Sequence, residues 1–173
     1  PQVTITPLNP VICQGFSVSL TAITSGGTPT FSYLWSPSTG LSCTTCQNPV
    51  ASPTADQNYQ VIVTDSKGCK DTAQVLVKVN NNPTPSLVVK TNEQCNKKNG
   101  SITVTATGGE SPYSYLWNTS PQQTGTTATG LAGGTYTVTV TDKNGCTGTL
   151  AASIINEGGP TVNITGTNPN CIG

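Results

Sequence analysis

The sequence has no methionine, no histidine and no arginine. Without histidine it lacks the usual general base near neutral pH and the commonest metal ligand. Its seven basic residues are all lysines, balanced by seven carboxylates, and only 8% of residues are charged. Nucleic acid binding needs clustered Lys and Arg against phosphates, so no nucleic acid partner is expected. No apolar run approaches the roughly 18 residues of a membrane span, and no basic amphipathic helix suits a membrane surface. Direct membrane insertion is therefore not expected. The acids are Asp56, Asp65, Asp71, Asp142, Glu93, Glu110 and Glu157. None forms a repeated pair of the kind glycosidases use, and no Ser or Thr has an evident activating partner. The sequence reads as non-enzymatic, with no cofactor.

What is present points to strands. Threonine is abundant beside 18 Gly and 13 Pro, and good helix formers are scarce. Thr and Val branch at Cβ, lose rotamer freedom in helices and suit a pleated surface. Regular Val alternation, two Trp and five Tyr argue against a disordered Thr/Pro/Gly tract. Seven cysteines in so short a chain point to an oxidising compartment. The lack of methionine and of a signal segment suggests a window of a longer, exported chain.

The chain repeats itself. YQVIVTDSKGC, Tyr59 to Cys69, returns as YTVTVTDKNGC, Tyr136 to Cys146. Cys13 falls on Cys95, Gly26-Gly27 on Gly108-Gly109, and Tyr33-Leu34-Trp35 on Tyr115-Leu116-Trp117. The first copy has a longer interval between its Trp and its second Tyr, and that interval holds CTTC, Cys43 to Cys46. The tail PTVNITGTNPNCIG resembles the opening PQVTITPLNPVICQG, so Cys171 corresponds to Cys13 and Cys95. The expected organisation is a module over 1–80, a second over 81–157, and the first strand of a third over 158–173. The joints Asn80 to Pro85 and Asn156 to Pro160 are short, and proline stiffens the first.

Phe16, Val18, Leu20 and Ala22 alternate with polar residues, the period of a half-buried strand. Phe31, Tyr33 and Trp35 share a face of the next, and Tyr59, Val61 and Val63 of a third. Val75, Val77 and Val79 follow. Such strands, separated by Gly/Pro/Asn turns, favour a sandwich of two sheets. Asp65 and Asp142 would cap backbone amides in the turn that follows the Tyr-x-Val-x-Val strand, and its glycine would take positive φ. Each module has an early and a late cysteine. The most economical pairing is Cys13 with Cys69 and Cys95 with Cys146, with Cys43 and Cys46 joined locally. Cys171 would then pair with a cysteine beyond the fragment. Spacing cannot fix connectivity, but the repeat favours this choice. Closing the Cys13–Cys69 loop would be worth roughly 4 kcal/mol in the chain-entropy treatment, comparable to the whole stability of a weak domain.

Other residues carry competing readings. CTTC is a redox motif or half a zinc site only with a βαβ setting or two further ligands; neither is visible, so a loop disulfide is preferred. Asp65 and Asp142 are weak calcium candidates, since a single carboxylate makes a poor cage; capping is preferred. Trp35 and Trp117 have the chemistry of sugar platforms, but recurrence among aromatics favours a core role, shared with Tyr59 and Tyr136. Asn118-Thr119-Ser120 and Asn163-Ile164-Thr165 fit the N-glycosylation pattern.

WSPSTGLSCTTCQNPVASPTADQNYQVIVTDSKGC in the first module resembles the PKD-like domains of large surface proteins of gliding bacteria that use type IX secretion. GGESPYSYLWN followed by GLAGGTYTVTVTDKNGC resembles the SprB repeat of gliding-motility adhesins. The resemblance implies all-β, tandem Ig-like (PKD-like) β-sandwich modules, exported to the bacterial cell surface and serving in adhesion and movement. Partners would be neighbouring repeats of the same chain, surface glycans or other cell-surface proteins. Asp71-Thr72-Ala73 resembles the O-glycosylation site of such exported proteins, with Thr72 carrying the sugar. The alternative reading is a spacer or carbohydrate-binding module in a secreted polysaccharide-degrading enzyme.

Overall fold

A computed structural model describes residues 1–159, and every regular element in them is a strand. The expected opening strand of a third module, Cys171 and the Asn163 sequon lie outside the described residues, save for Gly158 and Gly159. The chain divides into two compact units. The first comprises Pro1–Thr84 with Ala106–Ser114 and Val140–Gly148. The second comprises Pro85–Thr105, Tyr115–Thr139 and, of the described residues, 149–159.

The first copy of the repeat contributes β1 (Gln2–Thr6), β2 (Val11–Cys13), β3 (Val18–Ser19), β4 (Thr21–Ser25), β5 (Ser32–Ser36), β6 (Val50–Ala51), β7 (Gln57–Thr64) and β8 (Lys70–Asn80). One sheet has the order β2-β8-β7-β5. β7 and β8 are antiparallel in unbroken register from Gln57 opposite Val77 to Thr64 opposite Lys70. β2 joins the far end of β8 in parallel, with Cys13 opposite Asn80. The antiparallel pairs β1–β4 and β3–β6 supply the facing layer. Period-2 alternation turns Tyr59, Val61 and Val63 inward, where they form one buried cluster with Val3, Ile5 and Leu20.

Phe16 departs from the expected strand face and is exposed. Its amide donates to the Cys13 carbonyl at 3.0 Å, closing a turn through Gly15 at φ 89°. The strand therefore begins only at Val18, and Phe16 lies outside its pleat.

The second copy contributes β9 (Thr84–Thr91), β10 (Glu93–Gln94), β11 (Gly100–Thr107), β12 (Ser114–Trp117), β13 (Thr127–Leu131), β14 (Gly134–Thr141), β15 (Thr147–Ile154) and β16 (Asn156–Glu157). Its sheets have the orders β13-β11-β9, β12-β14-β15 and β10-β16. Ile102, Val104, Trp117, Ala128 and Val138 are buried. Glu93 is buried as well, a costly placement unless both oxygens find donors. They do: Oε1 accepts the Lys98 amide at 2.8 Å and Oε2 the Gly133 amide at 2.7 Å.

Each tryptophan is buried, and each is held under a loop. The Trp35 indole N–H donates to the Cys46 carbonyl at 2.9 Å, and the Trp35 amide donates to the Thr44 carbonyl at 2.7 Å. Trp117 repeats the arrangement with the Gly125 carbonyl at 3.0 Å and the Gln123 carbonyl at 3.0 Å. In the first copy the Cys43–Cys46 disulfide ties that loop. In the second, Gln123 does so by bonding both ways to the Thr129 backbone at 2.9 Å. Tyr59 is buried and its hydroxyl donates to the Thr39 carbonyl at 2.8 Å. Tyr136 differs from the expected core role, being only half-buried. It follows the Gly133-Gly134 pair, which offers no side chains to cover its ring, and its hydroxyl reaches the Ala132 carbonyl at 3.0 Å.

Candidate functional site

The chemistry-bearing residues collect at the turns that present cysteine. After β7 the chain reverses through Asp65, whose carbonyl accepts the Gly68 amide and whose amide donates to the Cys69 carbonyl, both at 2.9 Å. Asp65 Oδ1 accepts the amides of Lys67 and Cys69 at 3.0 and 2.9 Å, and Oδ2 accepts the Thr28 amide at 3.0 Å. After β14 the same turn is built around Asp142. Its Oδ1 accepts the amides of Asn144 and Cys146 at 2.9 and 2.8 Å, and Oδ2 accepts the Glu110 amide at 3.0 Å. The carboxylates therefore cap amides within the first unit. The Thr28 amide foremost, with those of Cys69 and Lys67, holds the Asp65 carboxyl below its ordinary range against the opposing effect of burial. For Asp142, burial is the largest single influence and pushes upward. The amides of Glu110, Cys146, Asn144 and Gly145 outweigh it, and the carboxyl is again lowered. Beside this turn Lys143 Nζ meets Glu110 Oε1 at 3.0 Å on the surface, and that pair lowers the Glu110 carboxyl.

The disulfides differ from the expected set. Cys13 is joined to Cys146, at a Cα–Cα distance of 5.5 Å and a sequence separation of 133. This corrects both within-copy pairings, Cys13 with Cys69 and Cys95 with Cys146. Cys69 and Cys95 are free and exposed among the described residues. The reason lies in β8, an 11-residue strand with Cys69 just before its start and Cys13 beside its end. At about 3.3 Å per residue those positions stand roughly 36 Å apart, whereas a disulfide needs Cα atoms within about 7 Å. The same strand logic runs through the second copy. Cys146 just precedes β15, and the Cys95 amide donates to Glu157 beyond that strand's end at 2.9 Å. Cys43 and Cys46 are bonded to each other. Thr72 is exposed on β8 opposite Ile62, while neighbouring Asp71 accepts the Val3 amide at 2.7 Å.

Among the described residues no cluster of three or more His, Cys, Asp or Glu is arranged to hold a metal. The Asp turns would have been found by the repeated Asp-x-x-Gly-Cys string. Glu93 would not, because nothing in its neighbourhood marks it as buried.

Comparison with known proteins follows the same lines. The SprB repeat family matches residues 5–40 and 87–122, so the first copy, likened above to PKD-like domains, matches that repeat as well. No curated protein matches. Among solved structures, the N-terminal eight Ig domains of Down Syndrome Cell Adhesion Molecule align over 88% of this chain with a TM-score of 0.59 and 11% identity. A C-terminal fragment of intimin, solved in complex with the intimin-binding domain of the translocated intimin receptor, aligns over 88% with a TM-score of 0.54 and 14% identity. This chain spans 27% of the first structure and 63% of the second. At such identities the likeness speaks for the fold. The strand-only architecture of the described residues is that of tandem Ig-like β-sandwich modules, and one segment in each copy of the repeat is similar to the SprB repeat.

Proposed function

We propose that the chain is a non-enzymatic, load-bearing segment of a bacterial cell-surface adhesin or filament, working outside the cell in adhesion and gliding. The observation that carries this reading is the Cys13–Cys146 disulfide, which closes a loop spanning 133 residues and belongs to an oxidising setting. The modules, over 1–80 and 81–157, act as beads whose geometry is the mechanism. Buried Trp and Val cores give each bead its shape, and cross-links limit how far the chain yields under shear. Asp65 and Asp142, the recurring carboxylates, are engaged as turn caps. Neighbouring repeats are the first partners, with glycans or other surface proteins bound at the cell exterior. Thr72, exposed beside a capped Asp71, is offered as an O-glycan carrier.

Antibodies raised against this chain test the reading on the organism that encodes it. They should label intact cells and reduce surface attachment and spreading. Labelling only after lysis, or attachment unchanged under saturating antibody, would overturn it. A glycan array separates the spacer reading, which requires these modules themselves to bind polysaccharide.

A further inference from the structure

The two free cysteines are not equivalent to each other; each is the counterpart of one member of the bridge already formed. Cys69 stands where Cys146 stands, at the end of an Asp-x-x-Gly-Cys turn. In both turns the cysteine amide donates to the aspartate Oδ1, at 2.9 Å for Cys69 and 2.8 Å for Cys146. In both turns the cysteine carbonyl accepts the aspartate amide at 2.9 Å. Cys95 stands where Cys13 stands, at the C-terminal end of a short strand that pairs in parallel with a late strand of its copy. Cys13 lies opposite Asn80, and the next amide, Gln14, donates to the Asn80 carbonyl at 2.9 Å. β10 runs parallel to β16, and the Cys95 amide donates to the Glu157 carbonyl at 2.9 Å.

The Cys95 loop is built rather than loose. Cys95, Asn96 and Lys98 all have positive φ, at 53°, 57° and 50°, an uncommon state for residues with a Cβ. Buried Glu93 holds the Lys98 amide at 2.8 Å, Asn99 Oδ1 accepts the Gln94 amide at 2.8 Å, and Asn156 bonds to Asn96. These contacts fix the backbone that presents the Cys95 thiol.

We propose that Cys95 and Cys69 are the two halves of a repeat-to-repeat disulfide of the Cys13–Cys146 type. Cys95 takes the late cysteine of another copy of the repeat, and Cys69 takes the early cysteine of another. A second copy of this chain offers both partners, so the contact is head-to-tail and propagates instead of closing on itself. Each bridge forms one S–S bond from two thiols, which lose two protons and two electrons. The electron acceptor is a disulfide oxidant, reduced in turn to two thiols. With glutathione disulfide, the Cys95 thiolate displaces one glutathione thiolate, and the Cys69 thiolate of the second copy displaces the other. The inference stands on the pairing geometry and not on adhesion, so it survives if the surface-labelling test fails.

The test uses the whole chain carrying Cys171→Ser, at high concentration with glutathione disulfide as oxidant. Non-reducing gels should show a ladder at multiples of the chain mass, and peptide mapping should retain Cys13–Cys146. Between chains, Cys69–Cys95 should appear in about tenfold excess over either symmetric product, a modest geometric preference. Adding Cys69→Ser to one sample and Cys95→Ser to another should leave each monomeric, while their mixture gives a dimer and nothing larger. Symmetric Cys69–Cys69 and Cys95–Cys95 products in the proportions of random collision would overturn the proposal. So would a Cys69–Cys95 link confined to monomers, scrambling to Cys13–Cys69, or persistence of both thiols or their glutathione adducts.

Discussion

Tethered by its two termini and stretched, the oxidised chain should stop well short of its full length. The Cys13–Cys146 bridge withholds a separation of 133 residues from extension. At about 3.3–3.6 Å per extended residue, that hides roughly 440–480 Å. Had the cysteines paired within each copy, the hidden spans would run from 13 to 69 and from 95 to 146, together roughly 350–390 Å. The two connectivities thus differ by roughly 90 Å, which optical tweezers resolve on single molecules. The Cys43–Cys46 loop lies inside the larger one and adds nothing until that one opens. The measurement compares final contour length before and after adding a thiol reductant. The chain-entropy treatment adds a thermodynamic counterpart: opening a loop of this size removes about 5 kcal/mol of constraint on the unfolded chain. Reduction should therefore lower the apparent unfolding midpoint as well. A release near 350–390 Å, or none at all, would refute the reasoning from the length of β8.

Trp35→Ala should cost about 3–5 kcal/mol in urea denaturation, and Trp117→Ala a similar amount in its own copy, since both are buried. Trp35→Phe should cost less but still leave the Cys46 carbonyl without its indole donor. Acid should destabilise the fold in a narrow range. Asp65 and Asp142 titrate below their ordinary value of 3.8 when folded, so the unfolded chain takes up protons first as pH falls. Their contribution is complete above that value and lost as pH drops through the folded value. Melting temperature should be flat near neutrality and fall between about pH 5 and pH 2, and Asp142→Asn should lower the neutral plateau while flattening the acid slope. Gly109→Ala should destabilise more than Gly68→Ala in thermal melts, and equal losses would count against this contact argument. Both glycines have positive φ, but only a Cβ at Gly109 would meet Asp142 Oδ2 at 2.8 Å and the Pro83 nitrogen at 3.2 Å.

The strands were legible because their signal is local. Tyr59, Val61 and Val63 alternate in sequence, and they alternate in the sheet. The Asp-x-x-Gly-Cys turn was legible for a similar reason, since a carboxylate that caps amides two and four residues ahead needs no distant partner. Phe16 misled because period-2 patterning does not say where a strand starts, and a turn through Gly15 intervened. Glu93 was illegible because its burial depends on the Gly133 amide, far along the chain.

The disulfides failed for a deeper reason, one that applies to any repeat. Repetition shows that early and late cysteines are two classes and that each class recurs. It does not show whether an early cysteine meets the late one of its own copy or of the next, because both rules have the same periodicity. Economy favours the shorter loop, and loop entropy alone would agree, since closing a longer loop costs more. Rigid geometry decides otherwise. Once β8 forms as 11 extended residues, Cys69 and Cys13 sit at its opposite ends, and no rotamer spans that gap. The late cysteine of the second copy is then the one that the turn around Asp142 delivers to Cys13. Strand length, here the 11 residues from Lys70 to Asn80, is therefore the quantity to consult before pairing cysteines in a tandem β-sandwich.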